Sequence, residues 1–260
     1  MSLTDEQVRA LEKKAEEIRE TIIKMLVAAG SGHTAGPLGM ADIFTAFYFH
    51  ILHHDPVAEC LTLRKFGTRL QGPPEMLRLE GLETTSGPLG EGLSQAAGMA
   101  YSFKNFQKPE PSAYSLKPRI YCLMSDGEQE EGSTWEAAMF AGKYKLSNLT
   151  AVMDRNNIQI DGMTEEVMPL EPLADKYRAF NWHVLEVDGH NFTEYINAVE
   201  ESKAIYEKPT LIIAHTIPGK GVPEIEFDYH WHGKPPTKEE AKRFLKEIRT
   251  MAGKVAGEYS

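Results

Sequence analysis

Short apolar runs separated by helical segments, from about residue 91 onward, predict an α/β fold: a three-layer, doubly wound, mostly parallel sheet. Two further observations agree. Arg119-Ile-Tyr-Cys-Leu-Met124 is a continuous apolar run of the kind that forms a strand buried on both faces. The length, 260 residues of which 42% are hydrophobic and 25% charged, is enough to bury a core of one large α/β domain or two small ones.

The elements follow in order. Thr4 and Gln7 form a capping box, and apolar residues recur at Val8, Leu11, Ala15, Ile18, Ile22 and Met25, so a helix is expected until Gly30 stops it. Gly30-Ser-Gly-His-Thr-Ala-Gly36 with Pro37 reads as a tight loop. A second helix is expected over 40–52, ending before Asp55-Pro56, because a residue preceding proline leaves the α region. Residues 91–106 read as a helix rich in small residues, and 107–118, with three prolines, as a surface loop. The strand at 119–124 is followed by a helix at 133–146, a strand at 149–153 and a helix near 171–180. Strands at 183–187 and 210–215 flank a helix at 193–206, and a terminal helix covers 237–251. With no internal repeat, coiled coil or low-complexity tail, the chain reads as a single domain over 1–260.

Charge and cysteine content exclude several function classes. Lys and Arg total 28 against 38 Asp and Glu, a formal net charge of -10, with a pI near 5.4. Such a surface repels phosphate backbones and anionic lipid, so neither nucleic acid nor a membrane is an expected partner. No apolar run approaches the roughly 18 residues of a membrane-spanning helix, and the polar, acidic N-terminus resembles neither a signal nor a transit peptide. Cys60 and Cys122 alone build no disulfide framework or four-ligand zinc site. A cytoplasmic protein is expected.

Ligands of doubly wound sheets collect at the carboxyl ends of the strands. Two strand ends here carry oxygen-bearing side chains: Met124-Ser-Asp-Gly-Glu128 and Met153-Asp-Arg-Asn-Asn-Ile158. A hard cation such as Mg²⁺ takes about six oxygen ligands; Asp126, the Asn156 amide oxygen and a main-chain carbonyl near Ile158 are candidates for the protein's share. Gly127 and Gly132 let backbone N–H groups approach a diphosphate, near the N-terminus of the 133–146 helix. Taken singly, these are also ordinary turn residues; their occurrence at two successive strand ends favours binding. His53-His54-Asp55 reads as a helix terminus, His190 as a loop tie and Lys220 as a solvated loop residue, since the full phosphate-loop spacing is absent.

Ser125-Asp-Gly127, then 28 residues, then Asn156-Asn157 resembles the thiamine-diphosphate fingerprint, in which Gly-Asp-Gly is followed at a similar distance by Asn-Asn. Here Ser125 replaces the first glycine. The run Ser125-Asp-Gly-Glu-Gln-Glu-Glu-Gly-Ser-Thr-Trp-Glu136 resembles transketolase, as do Gly30-Ser-Gly-His33, Thr85-Ser-Gly-Pro-Leu-Gly-Glu-Gly92, Asp188-Gly-His190 and Trp231-His-Gly-Lys-Pro235. These segments keep the family's order from residue 30 to 235 and are similar to one half of it only, the N-terminal, diphosphate-binding domain.

The resemblance implies the thiamine-diphosphate-binding fold, with thiamine diphosphate and Mg²⁺, or Ca²⁺ in its place, as cofactors. By it, Asp126, Asn156 and the Ile158 carbonyl are the metal ligands, Gly127 and Glu128 lie at the diphosphate, and Gly87 and Leu89 touch the aminopyrimidine and thiazolium. Glu131 and Glu136 match acids that connect, across a subunit interface, to the glutamate activating the aminopyrimidine. His33 and His232 match histidines reaching substrate hydroxyls and the diphosphate. The implied activity is two-carbon (glycolaldehyde) transfer from a ketose phosphate to an aldose phosphate. The pyrimidine-binding domain is expected on a separate C-terminal subunit, with assembly into a dimer or heterotetramer.

Three departures set this chain apart. Roughly 30 residues, about one strand–helix unit, are missing after Pro56, including a Ser-Lys-Gly-His-Ala motif. The family's Gly-His-Pro is Gly72-Pro73-Pro74, and Glu91 replaces a glutamine. Lost histidines weaken proton transfer and transition-state contacts, so cofactor anchoring is expected to survive better than turnover. A transketolase-like binding or regulatory protein is therefore the alternative. Another thiamine-diphosphate enzyme fits Gly87-Pro-Leu-Gly90 and Trp231-His-Gly233 less well.

Overall fold

A computed structural model describes residues 3–52, 63–64, 76–77, 83–106 and 118–258, with 251–258 as backbone alone. The readings of His53-His54-Asp55, Cys60, the segment after Pro56, Pro73 and the loop at 107–117 lie outside the described residues. The chain divides into two compact units: Pro88–Arg155 with Thr164–His215, and Met1–Gly87 with Asn156–Met163 and Thr216–Ser260.

The first unit holds the sheet. Its strands are β1 (Ile120–Ser125), β2 (Leu149–Arg155), β3 (His183–Asp188) and β4 (Thr210–His215), all parallel in the order β1-β2-β4-β3. Because successive side chains point to opposite faces, Leu149, Ala151 and Met153 of β2 enter one core. They meet Leu93, Ala97 and Ala100 of α3 (Glu91–Asn105), Ala138 and Ala141 of α4 (Gly132–Lys143), and Tyr177 of α6 (Leu173–Ala179). Thr150 faces the other way and donates to the Ser202 hydroxyl of α7 (Phe192–Lys203) at 3.0 Å. Helices thus cover both faces, giving three layers. The path also accounts for the sides: β1 to β2 to β3 advances in one direction with α4 and α6 on one face, and the step back to β4 places α7 on the other, as right-handed crossovers require. Gly142 of α4 lies against the Phe180 carbonyl, where an added Cβ would sit 1.8 Å from the oxygen, so only glycine permits this approach. Cys122 points into the same core, and burial pushes its thiol up to about 12.

The second unit is helical. α1 (Asp5–Ala29) starts at the expected Thr4–Gln7 capping box and stops at Gly30, which adopts φ 64°. Its buried line is Leu11, Ala15, Arg19, Ile23 and Leu26, one position on from the expected Ile18–Ile22–Met25 stripe. The shift draws Arg19 inside, where it meets Asp42. α2 (Ala35–Ala46) begins five residues before the expected start and continues as one wide turn, Phe47–Ile51. Gly36 and Pro37 fall in its first turn, where a missing N–H removes no helical bond; the expected loop is correspondingly shorter. Gly39 lets α2 approach the 216–221 segment, where a Cβ would lie 2.9 Å from the Ile217 carbonyl, and the Gly219 N–H donates to Ala35 O at 2.8 Å. α8 (Lys238–Glu258) packs on α1, with Phe244 and Ile248 joining Ile23, Leu38, Val222 and Trp231 in a second core.

The strands at 149–153 and 183–187 extend a little further than expected. A short helix α5 (Thr164–Val167), with no counterpart in the expectations, follows the second strand end. No described helix is long and apolar enough to cross a membrane.

Candidate functional site

β1 delivers Asp126 one residue past its last strand position, Ser125. The Asp126 N–H donates to the Asp154 carbonyl of β2 at 3.1 Å, extending the ladder by a step, and the side chain is 1% exposed. Residues Gly127–Glu130 then form a 3₁₀ turn leading to α4. Asp126 Oδ1 accepts from Gly127 N–H at 2.8 Å; Oδ2 accepts from Arg155 Nη1 at 3.0 Å and from the Thr164 hydroxyl at 3.4 Å.

Glu128 is buried, and its carboxylate ties two segments together. Oε1 accepts from Gly90 N–H at 2.8 Å and Oε2 from Ser125 N–H at 3.2 Å. The Leu89–Gly90 turn is thereby fastened to the end of β1, with Gly90 at φ 82° and Leu89 57% exposed. Glu131 packs beside Gly90, and Ser133 donates to the Gly90 carbonyl at 3.0 Å. Glu136 is exposed one turn further along α4. Asp126, Gly127, Glu128, Leu89 and Glu131 are therefore brought together in the sheet unit.

Arg155 ends β2 and is 3% exposed. Beyond Asp126, its Nη2 donates to Glu165 at 2.6 Å and to Glu171 at 3.1 Å. Burial opposes the charged guanidinium, but Glu165, Asp126 and Glu171 together more than offset it and hold Arg155 above its ordinary pKa. Desolvation likewise works against Glu165, yet Arg155 and the N–H groups of Leu170 and Glu171 hold it below the usual carboxylate range. Sequence reasoning passed over Arg155. The available signal was a charged residue closing an apolar strand, directly between two candidate ligand segments.

The remaining candidates belong to the helical unit. Asn156 Oδ1 accepts from the Ile158 N–H at 3.0 Å across Asn157, which adopts φ 64°; this turn fixes the Asn156 side chain and the Ile158 backbone together. His33 and His232 face each other with ring centroids 5.5 Å apart. His232 follows Trp231, which is anchored on Phe244 at 5.2 Å, and its Nδ1 is buried without a hydrogen-bond partner among the described residues. Burial first, then the Arg64 charge, lowers the His33 pKa; burial first, then His33, lowers that of His232. Both rings are held neutral at pH 7. Gly87 has φ 137°, a conformation that favours glycine. His190 N–H donates to Asp188 Oδ1 at 2.8 Å, consistent with a loop tie.

Each unit taken by itself offers oxygen donors of the type a hard cation takes: a buried carboxylate in the sheet unit, and an amide oxygen with a carbonyl in the helical unit. Among the described residues no group of three or more His, Cys, Asp and Glu side chains is arranged to hold a metal. The Asp126, Glu165 and Glu171 carboxylates share a guanidinium instead.

Comparison with known proteins places this architecture. Residues 57–253 match the family model described as transketolase, thiamine diphosphate binding domain. The chain belongs to the transketolase family. It matches less than half the length of whole transketolases and nearly the full length of separate subunits. It is 36% identical to the 6-deoxy-6-sulfo-D-fructose transketolase subunit SqwG of Clostridium sp. (strain MSTE9), covering 94% of this chain and 98% of that protein. It is 35% identical to one of the subunits of the apulose-4-phosphate transketolase of Phocaeicola vulgatus, covering 97% and 98%. Against human transketolase the identity is 35%, with 94% of this chain matching 42% of that protein. The Campylobacter jejuni transketolase crystal structure superposes with a TM-score of 0.83 at 31% identity, covering 94% of this chain and 42% of that one. The transketolase-type fold and thiamine diphosphate as the family domain's cofactor follow.

Proposed function

We propose that this chain is the N-terminal subunit of a split transketolase, active with a C-terminal subunit that carries the pyrimidine-binding domain. The observation that carries the reading is coverage. The chain matches 98% of two separate transketolase subunits but 42% of full-length transketolases. The rest of the machine, including the glutamate that activates the aminopyrimidine, then comes from another polypeptide.

In this reading the activity is transfer of a two-carbon glycolaldehyde unit from a ketose phosphate to an aldose phosphate. Thiamine diphosphate supplies the carbanion chemistry that breaks and remakes the C2–C3 bond. The chain's own residues bind and orient. Asp126, the Asn156 amide and the Ile158 carbonyl would hold Mg²⁺, or Ca²⁺ in its place, and Gly127 would lie against the diphosphate. The exposed Leu89 side chain and Gly87 backbone meet the rings. Glu128 acts through the Leu89–Gly90 turn it fastens. His33 and His232, neutral and adjacent, accept or donate at sugar hydroxyls; the unpartnered Nδ1 of His232 supports this. Glu131 and Glu136, at the start of α4, connect to the partner.

A chain of formal charge -10 must gather positive charge locally to hold a diphosphate, and Mg²⁺, backbone N–H groups and the partner supply it. The test is ketol transfer assayed with this chain and its C-terminal partner together, thiamine diphosphate and Mg²⁺ present. Activity in the mixture and in neither chain alone is expected; a mixture that binds cofactor and transfers nothing refutes the enzymatic reading.

That outcome would favour the second reading, a transketolase-like protein that keeps the fold and binds a partner without turnover. Gly72-Pro73-Pro74 and the shortened segment after Pro56 support it. The alignment with the Phocaeicola protein runs over 285 positions although this chain has 260 residues, so gaps do fall on this side.

A further inference from the structure

We propose that Gln129 is a positioning residue whose side chain, held by Tyr177, sets where the Gly127 backbone stands. The inference rests on the reading above, in which Gly127 lies against the diphosphate, and extends it to two buried residues behind the turn.

The turn is weak by itself. Gly127–Glu130 is a single 3₁₀ turn, held along its main chain by Gln129 N–H on the Asp126 carbonyl at 2.9 Å and Glu131 N–H on the Glu128 carbonyl at 3.2 Å. Such short pieces have poor hydrogen-bond geometry. Four acids, Asp126, Glu128, Glu130 and Glu131, also crowd this segment, and like charges at close range oppose a tight turn. Side chains therefore decide its shape.

Gln129 is 1% exposed, and each of its polar atoms is engaged. Beyond the turn bond of its N–H, its main-chain carbonyl accepts from Trp135 Nε1 of α4 at 2.8 Å. Its Nε2 donates to the Ser125 carbonyl at 3.0 Å, and its Oε1 accepts from the Tyr177 hydroxyl of α6 at 2.6 Å. The amide has one satisfactory orientation. A carbonyl only accepts, so Nε2 must face Ser125 and Oε1 must face the phenol. Burial first, then Cys122 and Glu128, pushes the Tyr177 phenol up, so it keeps the proton it donates.

Tyr177 cannot follow a displaced turn. It is fully buried, with its ring centroid 5.3 Å from Trp135 and 5.4 Å from Trp182, whose Nε1 donates to the Ala138 carbonyl at 2.9 Å. Close-packed rings of this size have no room to shift. The anchor reaches Gly127 through Ser125. The Ser125 N–H is held by Glu128 at 3.2 Å and its carbonyl by Gln129. Asp126 and Gly127 are thus bracketed: the residue before them is gripped by the side chains of the two residues after them.

The test is calorimetric titration of thiamine diphosphate, at saturating Mg²⁺, into this chain complexed with its C-terminal partner. Wild type, Gln129→Met, Tyr177→Phe and the double variant are compared, with circular dichroism and melting temperature recorded for each. Methionine keeps the length of glutamine and makes neither bond; phenylalanine keeps the ring packing and loses the hydroxyl. The expected result is a rise of about 3–10-fold in the dissociation constant for Gln129→Met, the equivalent of a lost hydrogen bond. A smaller rise is expected for Tyr177→Phe, and the double variant should bind no more weakly than Gln129→Met, because both residues act through one bond. An unchanged constant in all variants, whatever the melting temperature, means that Gln129 only braces the fold, and overturns the inference. If Gln129→Met does not fold, Tyr177→Phe decides: a raised constant supports the inference and a wild-type one overturns it. A wild type that binds no thiamine diphosphate refutes the reading of Gly127 at the diphosphate instead, and this inference with it.

Discussion

Arg19 of α1 grips Asp42 of α2 through two parallel hydrogen bonds, Nη1 to Oδ1 at 3.1 Å and Nη2 to Oδ2 at 2.6 Å, with both side chains 8% exposed. Its Nε adds a bond to the Leu38 carbonyl at 3.1 Å, so one side chain fixes the register of the two helices. Removing one partner leaves a buried charge without compensation. Asp42→Asn is expected to lower the stability of the chain by about 3–5 kcal/mol, measured by urea denaturation. The double variant Arg19→Met/Asp42→Leu is expected to be less destabilised than Asp42→Asn, because it removes both charges together.

Glu128 tests whether a turn can be loosened from a distance. A glutamine at this position presents an NH₂ group to one of two backbone donors, Gly90 N–H or Ser125 N–H. Glu128→Gln is expected to destabilise by about 1–3 kcal/mol. Amide hydrogen exchange at Gly90 is expected to accelerate more than exchange in β4. Uniform acceleration throughout the sheet would argue against a local tie.

The two facing histidines predict a specific titration. Imidazole signals followed by NMR are expected to give midpoints below the ordinary 6.5 for both His33 and His232, since burial disfavours their charged forms. In His33→Asn the His232 midpoint is expected to rise, because the neighbouring ring no longer opposes its charge, yet to stay below 6.5 because burial is the larger cause. The linkage has a sign. As pH falls below 6.5 the unfolded chain takes up these protons before the folded one, so their contribution to stability diminishes on acidification.

Acid should also loosen α8 from α1. Glu20 receives two bonds of 2.9 Å from Arg249 and one from Lys24, and Arg249 first, then Lys24, holds its carboxyl at about 2 against an ordinary 4.5. A folded pKa below the unfolded one stabilises fully above 4.5, and the contribution is lost between 4.5 and about 2. The difference in melting temperature between wild type and Glu20→Gln is expected to be constant above pH 5 and to shrink toward zero as pH approaches 2.

Legibility in the sequence followed the range of the interactions. The strand ends could be read because a buried parallel strand is a continuous apolar run, and Asp126 and Asn156 stand just where two such runs stop. The Thr4–Gln7 cap could be read because both partners lie within one turn. The start of α2 could not: glycine and proline at 36 and 37 signal a loop unless the missing N–H falls in a helix's first turn, where it is harmless. The buried line of α1 shifted by a residue because Arg19 is drawn in by Asp42, 23 residues on. Arg155 escaped for the same reason, since its partners at 126, 165 and 171 meet only once the sheet exists. Glu128 reads in the sequence only as part of the Ser125-Asp-Gly run, and its bonds to Gly90 and Ser125 depend on the turn before α3 being folded against β1.

The strand order carries a consequence for synthesis. Among the described residues β3 pairs with β4 alone, and β4 lies between it and β2. A ribosome that has completed residue 209 has made three of the four described strands, yet β3 lacks the strand it pairs with, because β4 is still to come. The last strand translated is the one that closes the sheet, so the nascent unit stays open until residues 210–215 emerge.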